Sequence, residues 1–298
     1  MAVFVYAFTL LSIVSISLGD AEVRLVQLPG RVYSATLQRN RIYVAAGSGG
    51  LQIIDVTLGR VVATAAFTGE EVTDVVVTDR WGLALTTTAS AARLVEFAPL
   101  DGSVLRSIPL GTARVRSLVV VFDDLVALIG DLVLFVRPST AEIVAEVRVD
   151  DGVLTGAHVT NGRLVIARRY PGGLVILDAR RGTLAEVITT DDWLRQVRVV
   201  GHHAFVMGDA GLGRITLGGG AYALLDTTSG DLVTTPTGAL FLTTSQSLRR
   251  LNSEGQEIGR MTVPSSIADL HGRVVAIGDT MVLMAFNTGI AYFSKRNE

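Results

Sequence analysis

Short β-branched runs punctuated by glycine, a beat near forty residues, and one unmatched strand close to the N-terminus predict an all-β repeat protein. The runs are clearest in Arg41–Phe67, RIYVAAGSGGLQIIDVTLGRVVATAAF, which divides into Arg41–Ala46, Leu51–Asp55 and Arg60–Phe67. The separators GSGG and VTLG have the composition of hairpin turns. A ribbon this small cannot bury its faces alone, so it predicts copies of itself.

The copies follow in order. The first unit is Val32–Leu37, Arg41–Ala46, Leu51–Asp55 and Arg60–Phe67; the second is Val72–Thr78, Trp81–Thr86, Arg93–Phe97 and Ser103–Leu110. The third spans Val115–Phe122, Leu125–Ile129, Leu132–Arg137 and Glu142–Val149, and the fourth Val153–Thr160, Arg163–Ala167, Leu174–Asp178 and Thr183–Thr189. A less regular fifth (Leu194–Val200, Ala204–Met207, Arg214–Leu217, Ala221–Asp226) precedes a sixth (Leu232–Thr235, Ala239–Thr243, Leu248–Leu251, Glu257–Val263). The seventh offers only Val274–Ile277, Met281–Phe286 and Ile290–Ser294. Turns at Gly59, Gly102, Ala141, Gly182, Gly220 and Gly255 fall 43, 39, 41, 38 and 35 residues apart. Four strands per forty residues is the unit of a β-propeller. The sequence therefore predicts seven four-stranded antiparallel blades over 21–298, with Ala21–Leu28 completing the last blade and closing the ring's seam. A β-sandwich needs no such period, and a parallel βαβ fold needs crossovers longer than these two- to seven-residue gaps.

Composition narrows the function classes. The net charge is −2, so no global field favours nucleic acid. The basic residues are 25 Arg and one Lys, Lys295, a bias unlike the Lys and Glu enrichment of hyperthermophiles. With no cysteine, disulfides, thiolate nucleophiles and Cys-ligated metals are excluded. Ala2–Leu18 is a 17-residue run without charge, followed by Gly19-Asp20-Ala21. It suits a cleaved signal peptide within residues 1–20, or a retained membrane anchor, since its length meets the lower limit of a spanning helix. Either places the rest outside the cytoplasm, secreted or held at the cell surface.

Tyr43-Val44-Ala45-Ala46 lies where a YVTN motif would be read. Gly50-Leu51-Gln52-Ile53-Ile54-Asp55 and Gly173-Leu174-Val175-Ile176-Leu177-Asp178 match an LVIVD core. On these residues the chain resembles the surface-protein propellers built of YVTN and LVIVD repeats. The resemblance is good in the first and fourth blades and fades to periodicity in the fifth to seventh. It implies an extracytoplasmic seven-bladed propeller, often at a cell surface. Asp55/Gly59 and Asp178/Gly182 also match the D-x-x-x-G turn of quinoprotein propellers. Those propellers place a docking Trp near the end of the next strand, where this chain has Thr64 and Val187, which argues against a bound quinone.

In a propeller, loops from the second to the third strand share a face with loops from the fourth strand to the next blade. Those loops collect Glu70, Glu71, Arg114, Asp150, Asp151, Arg168, Arg169, Tyr170, Asp191, Asp192 and Trp193. Both charge signs with two aromatics suit a polar ligand or a protein loop; equally, exposed loops are polar by default. Asp191-Asp192-Trp193 could stack a sugar ring or plug a neighbouring blade. Arg168-Arg169 could clamp a carboxylate or phosphate, or pair with nearby acids. Calcium would need Glu70, Glu71, Asp151, Asp191 and Asp192 to converge, and no D-x-D-x-D-G loop is present. His158, His202, His203 and His271 form no H-x-H or H-E-x-x-H pattern; His202-His203 is expected in a solvated turn. Gly47-Ser48-Gly49 is not a nucleophile elbow, and Gly211-Leu212-Gly213 and Gly218-Gly219-Gly220 precede no helix that would hold phosphate.

No cofactor and no catalytic residue is therefore expected. The first expectation is an extracytoplasmic scaffold that binds a protein or a cell-surface polymer, with residues 2–18 as a possible tether. The alternatives are a metal-assisted hydrolase or lyase acting on a sugar or lactone at the channel mouth, and a subunit of a surface array or filament.

Overall fold

The computed structural model describes residues 14–18, 21–112, 114–149, 152–235, 237–244, 246–263, 273–277 and 281–294. Asp150, Asp151, His271 and Lys295 lie outside them, as do residues 2–13 of the apolar segment.

The chain opens with β1 (Val14–Leu18) and β2 (Ala21–Gln27). The first blade is β3 (Ser34–Gln38), β4 (Arg41–Ala45), β5 (Leu51–Asp55) and β6 (Arg60–Ala65). The second is β7 (Glu71–Val77), β8 (Gly82–Thr87), β9 (Ala92–Phe97) and β10 (Val104–Gly111). The third is β11 (Val115–Phe122), β12 (Leu125–Gly130), β13 (Val133–Arg137) and β14 (Glu142–Val147). The fourth is β15 (Leu154–Thr160), β16 (Arg163–Arg168), β17 (Gly173–Asp178) and β18 (Thr183–Thr189). The fifth is β19 (Leu194–Val200), β20 (His203–Gly208), β21 (Leu212–Thr216) and β22 (Tyr222–Asp226). The sixth is β23 (Asp231–Thr234), β24 (Leu240–Thr243), β25 (Ser247–Leu251) and β26 (Glu257–Thr262). The seventh is β27 (Arg273–Ile277), β28 (Met281–Phe286) and β29 (Gly289–Ser294), completed by β2. All ladders within the blades are antiparallel, and no helix occurs among the described residues.

Ring closure follows the expectation. Val23, Leu25 and Gln27 pair with Phe293, Ala291 and Gly289. One strand was not anticipated: β1 adds to the free edge of β2, pairing Val14 with Leu25 and Leu18 with Ala21, so the seventh sheet has five strands. The sequence VSISL alternates apolar residues with serine, a strand's period of two, and β2 would otherwise present an unpaired backbone edge. Among the described residues no helix is long and apolar enough to cross a membrane.

The core is the set of seven joints between blades. Trp81, Leu83 and Leu85 of the second blade meet Val126, Leu128 and Leu134 of the third. Val165, Ala167 and Ile176 of the fourth meet Val197, Val199 and Val206 of the fifth. Val26, Leu283 and Ile290 meet Ile42, Val44 and Ile54 where the last blade meets the first. The two middle strands of each blade pack on both faces, which is why they are continuous apolar runs. The outer strands alternate, as Arg60–Ala65 does between exposed and half-buried positions.

Polar stitches join the innermost strands, which follow one another around the ring in blade order. A bulge in the inner strand precedes Asp74, Ser117 and Gln196, and such bulges re-aim side chains. Asp74 accepts from the Ser34 hydroxyl of the first blade and, at 2.7 Å, from the Leu118 N–H of the third. Gln196 accepts from the Leu232 N–H at 2.7 Å and donates to Asp231 at 2.6 Å.

The turn into the outer strand explains the beat. Gly59, Gly102, Gly182, Gly220 and Gly255 all have positive φ, and Ala141 adopts the same conformation at φ 60°. Glycine reaches this region without a Cβ clash, so its spacing marks the blades; Ala141 bears the strain of being the exception.

Candidate functional site

The loop residues singled out in the sequence do not converge on one centre. Glu70 and Glu71 stand at the joint of the first and second blades, and Arg114 at the joint of the second and third. Arg168, Arg169, Tyr170, Asp191, Asp192 and Trp193 gather at the joint of the fourth and fifth, three joints along the ring from the glutamates. Asp151 lies outside the described residues.

The glutamates are committed locally. Arg93 grips Glu70 with a two-point fork at 2.5 and 3.2 Å. Glu71 accepts from the Tyr33 hydroxyl at 3.1 Å. The Arg114 side chain is exposed, while its carbonyl accepts from the Asp131 N–H at 3.2 Å. A converging calcium set is therefore not assembled by these residues, and no group of three or more metal-ligating side chains occurs among the described residues.

At the joint of the fourth and fifth blades the loop 169–172 lies against the loop 190–193. The Thr190 N–H donates to the Gly172 carbonyl at 3.2 Å. A Cβ on Gly172 would come within 2.0 Å of the Asp192 carbonyl, so glycine is what allows the loops to touch. Across the other side, the Arg169 N–H donates to the Val153 carbonyl at 2.8 Å and the Val153 N–H to the Tyr170 carbonyl at 3.1 Å. Three loops thus hold one another by backbone bonds, and side chains project from a fixed base.

Asp192, read from the sequence as a ligand candidate, is structural. Its carboxylate accepts from the N–H groups of Asp209 and Ala210 at 3.1 and 3.2 Å and from the Tyr222 hydroxyl at 3.0 Å. Burial, then the hydrogen bond to Asp192 and its negative charge, push the Tyr222 phenol up to about 12, so it remains a donor at neutral pH. The sequence carries no local sign of this, because the partners lie 17 to 30 residues away. Asp191 beside it is exposed.

Beside exposed Asp191, the surface of this joint is aromatic and cationic. Tyr170 and Trp193 are 62% and 45% exposed. Their rings meet edge-on, centroids 6.1 Å apart at 86°, and the Arg169 guanidinium lies 5.9 Å from the Trp193 ring centre. Aromatic edges and faces attract, and a cation over an indole face adds to this. Trp193 is therefore not a plug between blades. Arg168, one residue before Arg169, goes the other way: it is 5% exposed and closes the end of β16.

Neighbouring charges serve the joints instead. Arg195 reaches Ser229 at 2.9 Å and the Gly230 carbonyl at 3.2 Å. Arg249 pairs with Asp226 at 2.7 Å. The Thr228 hydroxyl first, then the Thr228 N–H and Arg249, hold the Asp226 carboxyl down at about 2 against the opposing effect of burial. Of the histidines, His158 lies on the inner strand β15, and burial, then the charge of Arg198, push it down to about 4, so it is neutral at physiological pH. His202 is in the turn as expected, but His203 begins β20, with Nδ1 3.4 Å from the Thr216 hydroxyl.

No family model matches the chain, and no curated protein matches it. Solved structures do. BamB from Moraxella catarrhalis is 12% identical and superposes with a TM-score of 0.63 over 97% of this chain and 95% of that one. The β-propeller domain of Cps50 (Swd1) from Myceliophteria thermophila is 14% identical, with a TM-score of 0.66 over 90% of this chain and 97% of that one. At such identity the likeness is one of fold, and it establishes the chain as a seven-bladed β-propeller.

Proposed function

We propose that the chain is a non-catalytic protein-interaction propeller whose partner docks on the loop face at the joint of the fourth and fifth blades. One observation carries this reading: Tyr170, Trp193 and Arg169 form an exposed cluster, edge-on between the rings and cation over indole, on a base fixed by backbone hydrogen bonds. Trp, Tyr and Arg dominate the energetics of protein interfaces, and a pre-organised aromatic anchor loses little entropy on binding. The resemblance to YVTN and LVIVD propellers, together with the uncharged run at 2–18, supports an extracytoplasmic location, secreted or tethered at the cell surface. The enzymatic alternative has no comparable support, because Glu70, Glu71 and Asp192 all have hydrogen-bonding partners within the fold.

A photo-cross-linking residue placed at Asp191 tests the reading on intact cells. A discrete partner should be captured, and Y170A/W193A should weaken that capture about 30-fold or more, at roughly 2 kcal/mol for a central anchor. Capture that is unchanged in the double variant would exclude this surface.

A second reading is favoured by the rim. Val62, Leu105, Ile143, Leu184, Leu224 and Ile258, one on each outer strand of the first six blades, are 41–59% exposed. Apolar side chains on open strand edges favour side-by-side association of copies. If the chain assembles into an array, sedimentation should show concentration-dependent oligomers that L105E/I143E returns to monomer. A monomer at all concentrations would remove this reading.

A further inference from the structure

We propose that Arg168 receives a carboxylate from the partner, so that the surface recognises an acidic segment with an apolar or aromatic residue beside the acid. The proposal rests on the docking reading above and gives the partner's chemistry. Arg168 is 95% buried, complementary to its 5% exposure, yet makes no ion pair with any described residue. Its side chain makes one hydrogen bond among the described residues, a long one from Nη2 to the Gly172 carbonyl at 3.4 Å, and its Nε is buried without a partner. A guanidinium has five donors, and a buried cation without an opposing charge is costly. Burial accordingly pulls its pKa below the ordinary arginine value, although the group remains charged.

Other half-buried arginines are provided for: Arg41, Arg195 and Arg198 donate to backbone carbonyls at 2.8–3.2 Å, and four more meet acids. Arg93, Arg106, Arg214 and Arg249 each face a carboxylate. Arg168 is held between two loops instead. A Cβ on Gly152 would lie 2.8 Å from its Cδ, so that loop closes on its stem, and Gly172 supplies the carbonyl at its tip. The acids on this joint do not answer it. Asp192 is committed to Asp209, Ala210 and Tyr222, and Asp191 is exposed and makes no ion pair with Arg168. Arg169 follows directly and stands over Trp193. A carboxylate that reached the base of the 169–172 loop would find at Arg168 a guanidinium with no opposing charge, and at Arg169 a second positive charge.

The test is selection of a displayed random-peptide library on the full chain, with purified peptides then compared as acid and matching amide. Selected peptides should carry Asp or Glu next to an apolar residue, and changing acid to amide should weaken binding about 10- to 100-fold, the size of a charge-assisted bond. R168M should abolish the difference between acid and amide while the apolar contribution persists. R168K, which keeps the charge without the fork, should retain part of it and guards against misfolding of the methionine variant. Acid and amide binding equally, or a preference unchanged in both variants, would overturn the carboxylate site and leave the docking surface standing. Peptides that bind regardless of Y170A/W193A would overturn the docking reading and this proposal together. An acid preference that emerges only in D150N/D151N would also overturn it, by assigning Arg168 a resident partner.

Discussion

Removal of residues 1–28 should abolish cooperative folding, whereas removal of residues 1–20 should leave the melting curve nearly unchanged. The difference is β2. It supplies the fourth strand of the seventh blade through its pairing with β29. Val26 and Leu28 are 1% and 7% exposed and sit in the cluster that joins the last blade to the first, with Leu25 packed against the preceding joint. Full burial of such side chains contributes about 1.5–3 kcal/mol each, and the lost ladder adds to this. The total approaches the ~5–15 kcal/mol net stability of a typical domain. A circular dichroism melt of the two truncated chains decides the matter. The β1 strand only extends an edge, so its loss exposes β2 without opening the ring. A cooperative transition in the 1–28 deletion would show that the ring closes without its N-terminal strand, and addition of the peptide AEVRLVQL should restore folding if the strand itself is what is missing.

Phe97→Ala should destabilise the chain by about 3–5 kcal/mol, the range for truncating a buried phenylalanine. Phe97 is fully buried in the joint of the first and second blades, against Ile53, Val75 and Ala84, with its ring 6.1 Å from that of Tyr43. A Cβ on Gly82 would lie 2.3 Å from the Phe97 ring, so glycine there provides the space the ring fills. Tyr43 cannot move into the cavity freely, because its hydroxyl donates to the Pro99 carbonyl at 2.8 Å. Urea unfolding measures the effect as a shift in midpoint at constant slope. A loss below 1 kcal/mol would mean that the neighbouring blade collapses into the space. Counted back from the turns at Gly59, Gly102 and Gly182, the first and fourth blades carry Ile54 and Leu177 where this blade carries Phe97, so the repeat predicts a buried apolar residue there but not a ring.

Much of the architecture was legible because it is local. Alternation and apolar runs located the strands to within one or two residues in most blades. Left-handed turns needed glycine at a fixed place in each blade, and the N-terminal strand was noticed because the seventh unit lacked one. The loop face was legible only as a collection of residues. Nothing near Asp192 in the chain reveals Asp209, Ala210 and Tyr222 as its partners. Arg168 and Arg169 are chemically identical neighbours, yet the first ends β16 with Gly152 against its stem and is buried, while the second begins the loop and is exposed.

The sequence by itself determined the number of blades, their order and the way the ring shuts, because strand period and turn chemistry act between residues a few positions apart. Only the tertiary structure decided which charges on the loop face are committed to partners and which stand open with Tyr170 and Trp193. A side chain's partner there belongs to another strand or to the next blade, and the chain brings the two together only when the ring has formed.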